Sequence, residues 1–395
     1  MLWKLTRRVL TELDPYLALR AAHLWVAKGM LAIWAYRRRL RRGELYPPFM
    51  FIALTNICNL RCHGCWVEKE GRADFLSLQD VDRLIAAGKK QRAYYYTLLG
   101  GEPYLYKNIW RIFERHRDCY FQTITNGMFF DDAAVRRLRR LGNVTPLVSL
   151  DGWKAHNDQR RGAGVFDSVI ANLARLHKAG ILFGIATTIT SPNMHEVLSD
   201  DYVRYFIERG AMYIWYYVYR PVGADPHPEY ALSREELVAV RRRLLALRRR
   251  HPILIVDSYW TAEGEAFCPA AMGLGFHIGP RGSIEPCPPL SVACDEVRDN
   301  QGDVYRTINN SRLLRDFQRF VAERTKGCVI LEFPRELADF FAKHGVRDYS
   351  GRDVLAELRA STPRHSQHLP GAEIPEDYWF YRLLKRNVFF GMGAL

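Results

Sequence analysis

The chain has 395 residues, of which 48% are hydrophobic and 25% charged, with a formal net charge of +14. That length and apolar content exclude a globally disordered chain or a small disulfide-stapled scaffold, and leave room for one large domain or two ordinary ones. The positive excess favours anionic partners: nucleic acid, acidic lipid headgroups or acidic substrates.

Residues 1–46 read as a basic amphipathic helical extension. Ala21 to Tyr36 is mostly apolar, carries Trp25 and Trp34, and is followed by Arg37, Arg38, Arg39, Arg41 and Arg42. His23 and Lys28 interrupt it, so its apolar runs fall short of the ~20 residues a bilayer span needs. The basic cluster follows the apolar stretch, unlike that of a secretory signal. Two readings are open: a helix lying peripherally on an anionic membrane, or a helix packed on the protein with its arginines solvated. Pro47-Pro48 ends this region.

Strands are expected over residues 51–54, 94–99, 121–125, 146–150, 183–190 and 213–219. Helices are expected over 78–90, with Ser77 as N-cap, and over 110–116, 131–141, 166–179 and 202–209. This alternation implies an α/β fold with a parallel sheet and right-handed crossovers. Six units are too few for an eight-fold barrel, so the expected shape is a partial (β/α)6 TIM-like barrel over 47–225, with functional residues at the C-terminal strand ends. Residues 226–265 are read as a linker, around Asp225-Pro226-His227-Pro228, and a basic helix. Ser233-Arg234-Glu235-Glu236 opens that helix as a capping box, and its arginines are read as a solvated face. Glycine, proline and cysteine over 266–335 suggest a small cluster-bearing module, and 336–395 a helical tail whose end, Asp377 to Phe390, is aromatic and basic. Tyr213, Trp215, Tyr217 and Tyr219 alternate along the last barrel strand and share a face. Core packing is ranked slightly ahead of a substrate-lining role for them.

Eight cysteines are present, and no secretory signal is evident, so reduced thiols in a cytoplasmic chain are the expectation. Cys58, Cys62 and Cys65 are spaced C-x3-C-x2-C on one short loop directly after the first strand. Structural zinc takes four ligands in a closed site. Three thiolates on one loop suit instead a 4Fe–4S cube whose fourth iron is open to a small molecule. Cys119, at the start of a strand, is read as core.

The run from Phe51 to Cys294 resembles the radical S-adenosylmethionine (SAM) superfamily, in the subfamily with an auxiliary iron–sulfur domain of SPASM or Twitch type. The resemblance rests on the cysteine loop and on Gly100-Gly101-Glu102-Pro103 at the end of the second strand. It also rests on Thr125-Asn126-Gly127, Ser149-Leu150-Asp151-Gly152, His156-Asn157-Asp158, Arg161-Gly162, Thr187-Thr188, Asn193 and Arg220-Pro221-Val222-Gly223. It implies that SAM chelates the open iron, with Gly100, Gly101, Glu102, Pro103, Asn126, Ser149, Asp151, Arg161 and Thr188 as candidate cofactor-binding residues. Glycines 100 and 101 would let the ligand approach, and Arg161 would pair with its carboxylate. Family members usually carry an aromatic residue just before the third cysteine. Here Gly64 stands there, with His63 and Trp66 as flanking aromatics. Stacking on the adenine and a core role are both open for Trp66.

Cys268, Cys287, Cys294 and Cys328 form the second constellation. The C-x13-G-x4-C pattern around Gly282 is similar to the opening half of the auxiliary domain, but the cysteine run that completes a full SPASM domain is missing. One auxiliary 4Fe–4S cluster is therefore expected, held firmly by Cys268 and Cys287 and provisionally by Cys294 and Cys328.

The implied activity is reductive cleavage of SAM to a 5′-deoxyadenosyl radical, which removes hydrogen from an unactivated C–H bond. The substrate is read as a lipid or a peptide or protein, and the electron donor as a flavodoxin or ferredoxin. Asp151, Glu102 and Glu332 can each be assigned as a proton acceptor, and nothing in the sequence singles one out. The rival is a non-catalytic zinc- or nucleic-acid-binding protein, which predicts salt-dependent nucleic-acid affinity. It leaves the glycine–glutamate and serine–aspartate strand ends unexplained, so a nucleic-acid partner is not expected.

Overall fold

A computed structural model describes residues 1–67, 72–274 and 276–387. The longer strands are β1 (Phe49–Ala53), β2 (Tyr95–Leu99), β3 (Tyr120–Thr125), β4 (Val144–Ser149), β5 (Gly184–Ile189), β6 (Tyr213–Val218) and β7 (Leu254–Asp257). Two-residue strands follow: β8 (His277–Ile278), β9 (Ile284–Glu285), β10 (Val292–Ala293) and β11 (Arg347–Asp348). The fold is α/β with a mostly parallel sheet, as a partial barrel requires.

The chain divides into two compact units. The first holds Met1–Ala27, Cys58–Cys65 and Glu102–Asp257. In it, β3 to β7 pair in parallel with their neighbours in chain order. The intervening helices are sharply capped: Asp131 accepts from the Ala134 N–H at 2.8 Å, and Gly142, at φ +64°, closes the far end of the helix Asp132–Leu141. The strands are buried on both faces, as parallel strands covered by helices are. Tyr213, Trp215 and Tyr219 are buried and Tyr217 half-buried, with the rings of Trp215 and Tyr217 stacked. Cys119 is fully buried.

The second unit holds Lys28–Ile57, Trp66–Gly101 and Ser258–Leu395. Here β1 pairs in parallel with β2 and with β8, β8 pairs antiparallel with β9, and β10 pairs antiparallel with β11. The helix Leu78–Lys90 is capped by Ser77, whose hydroxyl accepts from the Asp80 N–H at 3.0 Å.

The N-terminal arm packs on the protein along part of its surface. Its helices bury Leu5, Leu17, Leu24, Ile33 and Tyr36. In the first unit Trp25 stacks on Tyr120, and in the second the Tyr36 hydroxyl donates to the Met272 carbonyl. The opposite faces leave Trp3, Leu10, Leu19 and Trp34 in solvent. Among the described residues no helix is long and apolar enough to cross a membrane. The end of the tail forms the helix Trp379–Asn387, and the rest of the predicted stretch to Phe390 lies outside the described residues.

Two expectations are corrected in the stretch after the linker. The basic helix runs over Arg234–Arg250 with its capping box intact, but Arg241 and Arg248 are buried rather than solvated. A spacing of seven puts them on one helix face, and that face meets β7, a seventh parallel strand where the sequence suggested a linker. Asp257 at its end takes a hydrogen bond from Arg248 and lies 3.6 Å from the Arg241 guanidinium. Replacing Asp257 with alanine leaves two buried cations without their carboxylate, a loss of about 3–5 kcal/mol. Thermal unfolding of D257A is expected about 10 °C below that of the parent; an unchanged midpoint contradicts this role.

Candidate active site

The cysteine loop has no regular structure of its own, and the first unit holds it from three sides. Asn126, just beyond β3, donates from Nδ2 to the Asn59 side-chain oxygen at 2.7 Å. The His63 N–H donates to the carbonyl of Arg160, in the helix Lys154–Arg161, at 2.9 Å. Gly64 lies against the ring of Tyr219, at the end of β6. A Cβ there would run into that ring, and the residue's φ of +64° also favours glycine. Within the loop the Leu60 N–H points at Cys58 Sγ, 3.4 Å away. Cys58, Cys62 and Cys65 are all half-buried.

Glu102 is fully buried. Its carboxylate accepts from the Thr125 hydroxyl at 2.8 Å, the Asn126 N–H at 2.8 Å and the Tyr104 N–H at 3.0 Å. It braces the turn that opens at Pro103 against the end of β3. Burial pushes its carboxyl up to about 7, against the pull of those three donors and of Arg161.

Asp151, one residue beyond Leu150 after β4, is buried between Arg160 and Arg161. Its Oδ2 accepts from both guanidiniums, at 2.7 Å from Arg161 Nε, and its Oδ1 takes the Thr188 N–H at 2.8 Å. Burial alone would raise its carboxyl; the two arginine charges outweigh that and hold it below the usual carboxylate range. Burial works against the charge of Arg161 in turn, and is outweighed by Asp151 and by Cys62 and Cys65. Ser149 closes β4, nearly buried, in register with Ala186.

In the second unit, Gly100 and Gly101 follow β2. A Cβ on Gly100 would strike the Thr55 carbonyl, and one on Gly101 the Ile57 carbonyl. The close approach these glycines permit is that of the chain leading into the cysteine loop, where the sequence suggested the approach of a ligand. Trp66 stands edge-on to the His277 ring, with centroids 5.7 Å apart.

Cys268, Cys287, Cys294 and Cys328 are also in this unit. Cys268 directly follows Phe267, whose N–H donates to the Tyr259 carbonyl, and Cys287 opens a turn closed by the Leu290 N–H. Cys294 follows β10 and points its thiol at the His344 carbonyl, 3.5 Å away, with burial and then Asp295 pushing that thiol up. Cys328 is buried at the start of the helix Val329–Glu332, its N–H donating to Ser366 at 3.0 Å. Among the described residues no three His, Cys, Asp or Glu side chains converge where a single metal ion could sit. Thiolates that each hold a different iron of a cube need not converge on one point.

Sequence reasoning missed Arg160, which shares Asp151 with Arg161, and Glu196, which accepts from the Trp153 N–H and pairs with His156 at 2.5 Å. The adjacent arginines were visible as a doublet; nothing marked Glu196.

Comparison with protein families matches residues 52–204 to the radical SAM superfamily. Over that stretch the chain is similar to radical SAM proteins. Mycofactocin maturase MftC of Mycobacterium ulcerans is 28% identical over 266 residues, which cover 64% of this chain and 66% of that protein. The sporulation killing factor maturation protein SkfB of Bacillus subtilis is 28% identical over 255 residues, 61% of this chain and 60% of that one. The chain thus spans just under two thirds of these relatives' length. Among solved structures, Streptococcus suis SuiB bound to S-adenosylmethionine superposes with a TM-score of 0.61 at 18% identity, covering 75% of this chain and 72% of that one, a likeness of fold. SuiB has also been solved with its precursor peptide SuiA.

The family implies a 4Fe–4S cluster and SAM, and the residues fit them. Three thiols stand on one loop, Arg161 in the same unit is paired with the buried Asp151, and Arg160 Nε is buried with no hydrogen-bond partner among the described residues.

The carboxyl of Glu102 is raised above its ordinary 4.5. Its contribution to stability is therefore complete below that value and is lost as pH rises through about 7. In cluster-free protein the melting temperature of Glu102→Gln, relative to the parent, should rise between pH 5 and pH 8. A difference that is flat or falling with pH contradicts the assignment.

Proposed function

We propose that this chain is a radical SAM enzyme that modifies a peptide, with one auxiliary 4Fe–4S cluster. The observation that carries the proposal is the cysteine loop, fixed by Asn126, Arg160 and Tyr219 beside the buried Asp151–Arg161 pair. Cys58, Cys62 and Cys65 would hold the SAM cluster, and Cys268 and Cys287, with Cys294 and Cys328 as further candidates, the auxiliary one. When bound, the cluster supplies the electron that cleaves the sulfonium of SAM to methionine and a 5′-deoxyadenosyl radical. The protein's own work is to hold and shield. Asp151 holds Arg160 and Arg161 aligned for the carboxylate of the cofactor. Asn126, Ser149 and Thr188 stand at strand ends where they would bond the cofactor's polar groups, while Glu102 fixes the backbone of Asn126, whose amide holds Asn59. Buried strands behind them exclude water, which a reactive radical requires.

The substrate reading leans on the relatives. MftC and SkfB are named as maturation proteins and SuiB has been solved with a precursor peptide, which favours a peptide over a lipid. The exposed Trp3, Leu10 and Leu19, with Lys4 and Arg7 between them, support a peripheral contact with an anionic membrane. A flavodoxin or ferredoxin is the expected class of electron donor.

The test is anaerobic purification, followed by iron and sulfide analysis and incubation with SAM and dithionite. Bound iron and sulfide and production of 5′-deoxyadenosine are expected. Replacing Cys58, Cys62 and Cys65 with alanine should abolish that production while leaving the iron of the auxiliary cluster, and wild type should sediment with anionic but not neutral vesicles. A zinc-only protein, or no 5′-deoxyadenosine, overturns the enzymatic reading; equal recovery with both vesicles overturns the membrane contact.

A further inference from the structure

In the first unit, residues 1–27 meet the N-terminal end of every strand from β3 to β7. Ahead of β3, the Arg117 carbonyl accepts from Arg20, and Trp25 stacks on Tyr120, the strand's first residue. Ahead of β4, Gly142 lies against Tyr16, Leu17 and Arg20. Ahead of β5, the Gly180 carbonyl accepts from the Asp14 N–H at 3.0 Å. The buried Arg8 donates to the carbonyls of Ala211, ahead of β6, and Pro252, ahead of β7, each at 3.0 Å. The arm is a floor under five parallel strands. Asn126, Ser149, Thr188 and Tyr219 stand at or near the opposite strand ends. The six residues of β3, β4, β5 or β6 put about 20 Å between the two levels.

The outer face of this floor is apolar and basic. Among the described residues, the large apolar side chains that the first unit leaves exposed are Trp3, Leu10, Tyr16, Leu19 and Val26, all in the arm. Trp3, Leu10 and Leu19 are 74%, 71% and 72% exposed. Trp3, Arg7 and Leu10 recur at four and three residues along the helix Leu2–Glu12, so they share a face, opposite the buried Leu5 and Arg8. Lys4 and Arg7 stand exposed among the apolar residues. The two carboxylates of residues 1–27 are both paired, Glu12 with Arg8 at 2.8 Å and Asp14 with Arg139 at 2.6 Å. The face therefore carries a positive excess that calls for an anionic surface.

We propose that the floor seats on an anionic bilayer and thereby orients the first unit, so that the strand ends with the candidate cofactor residues open away from the lipid. The composition of the face selects the bilayer. The apolar centre of a protein interface is depleted of lysine, whereas a helix in the headgroup region sinks Trp and Leu while its Lys and Arg pair with anionic lipid. A substrate of the site then arrives from the aqueous side, and a lipid held in the same bilayer is out of reach below the floor. The orientation rests on the membrane contact proposed above, and its consequence for the substrate rests on the enzymatic reading.

The test is hydrogen exchange read by mass spectrometry on the anaerobically reconstituted full chain, alone and with vesicles of equal parts phosphatidylglycerol and phosphatidylcholine. Protection by the vesicles is expected within residues 1–27 and not in the loops 126–131, 150–153, 190–193 and 219–227 that follow β3 to β6. Protection of those loops overturns the orientation while leaving a membrane contact in place. No protection anywhere, or the same protection by phosphatidylcholine alone, overturns the contact and the orientation together. Production of 5′-deoxyadenosine is measured separately, so a failure of the enzymatic reading shows there alone. Trp3→Ser, Leu10→Ser and Leu19→Ser each remove an exposed side chain, so the melting temperature should stay while vesicle binding weakens about tenfold in each. Unchanged binding in all three overturns the proposal. So does a dimer that forms without vesicles and is lost in L10S, because a second copy of the chain then covers the face.

Discussion

The site depends on how a loop without secondary structure is made to present three thiols at fixed positions. Its own backbone forms no helix or strand; within it the Leu60 N–H is directed at Cys58 Sγ. The restraint comes from outside: the Asn126 amide on Asn59, the Arg160 carbonyl on the His63 N–H, and the ring of Tyr219 against Gly64. Those contacts come from the ends of β3 and β6 and from the helix after β4. Strands that are themselves fixed by parallel pairing and two-sided burial therefore transmit their order to the loop. Gly64 is what lets the aromatic ring come close enough to serve as a wall.

Electrostatics follow from the same arrangement. A site proposed to hold thiolates and the carboxylate of SAM calls for positive charge, and burial makes positive charge costly unless it is paired. Asp151 resolves the conflict by sitting between Arg160 and Arg161. The same device recurs at the end of β7, where Asp257 serves Arg241 and Arg248. In both places a carboxylate at or just past a strand end meets arginines on a helix, so these four arginines are held by buried carboxylates rather than solvated.

Much of this was legible in the sequence because the signals were local. The helix Leu78–Lys90 and its Ser77 cap, the capping box of Arg234–Arg250 and the strand at Tyr213 all depend on residue types a few positions apart. The three thiols and the glycine–glutamate turn were legible as motifs. What was not legible depended on distant partners. The burial of Arg241 and Arg248 needs β7, whose four residues are too short to stand out beside a linker. The reason for Gly100 and Gly101 needs the path of Thr55 and Ile57. The pairing of His277 with Glu285 needs a hairpin of two-residue strands, below the length at which alternation carries any signal. The roles of Cys294 and Cys328 likewise turn on His344 and Ser366, far along the chain.

The central claim is that Cys58, Cys62 and Cys65 hold a cube with one iron left for SAM. Electron–nuclear double resonance on the reduced enzyme, mixed with SAM labelled with ¹⁵N in its amino group and ¹³C in its carboxyl group, tests it directly. The arrangement predicts hyperfine coupling of both labels to the cluster, and its loss when Cys58, Cys62 and Cys65 are replaced by alanine. A reduced cluster that couples to neither label would contradict the account.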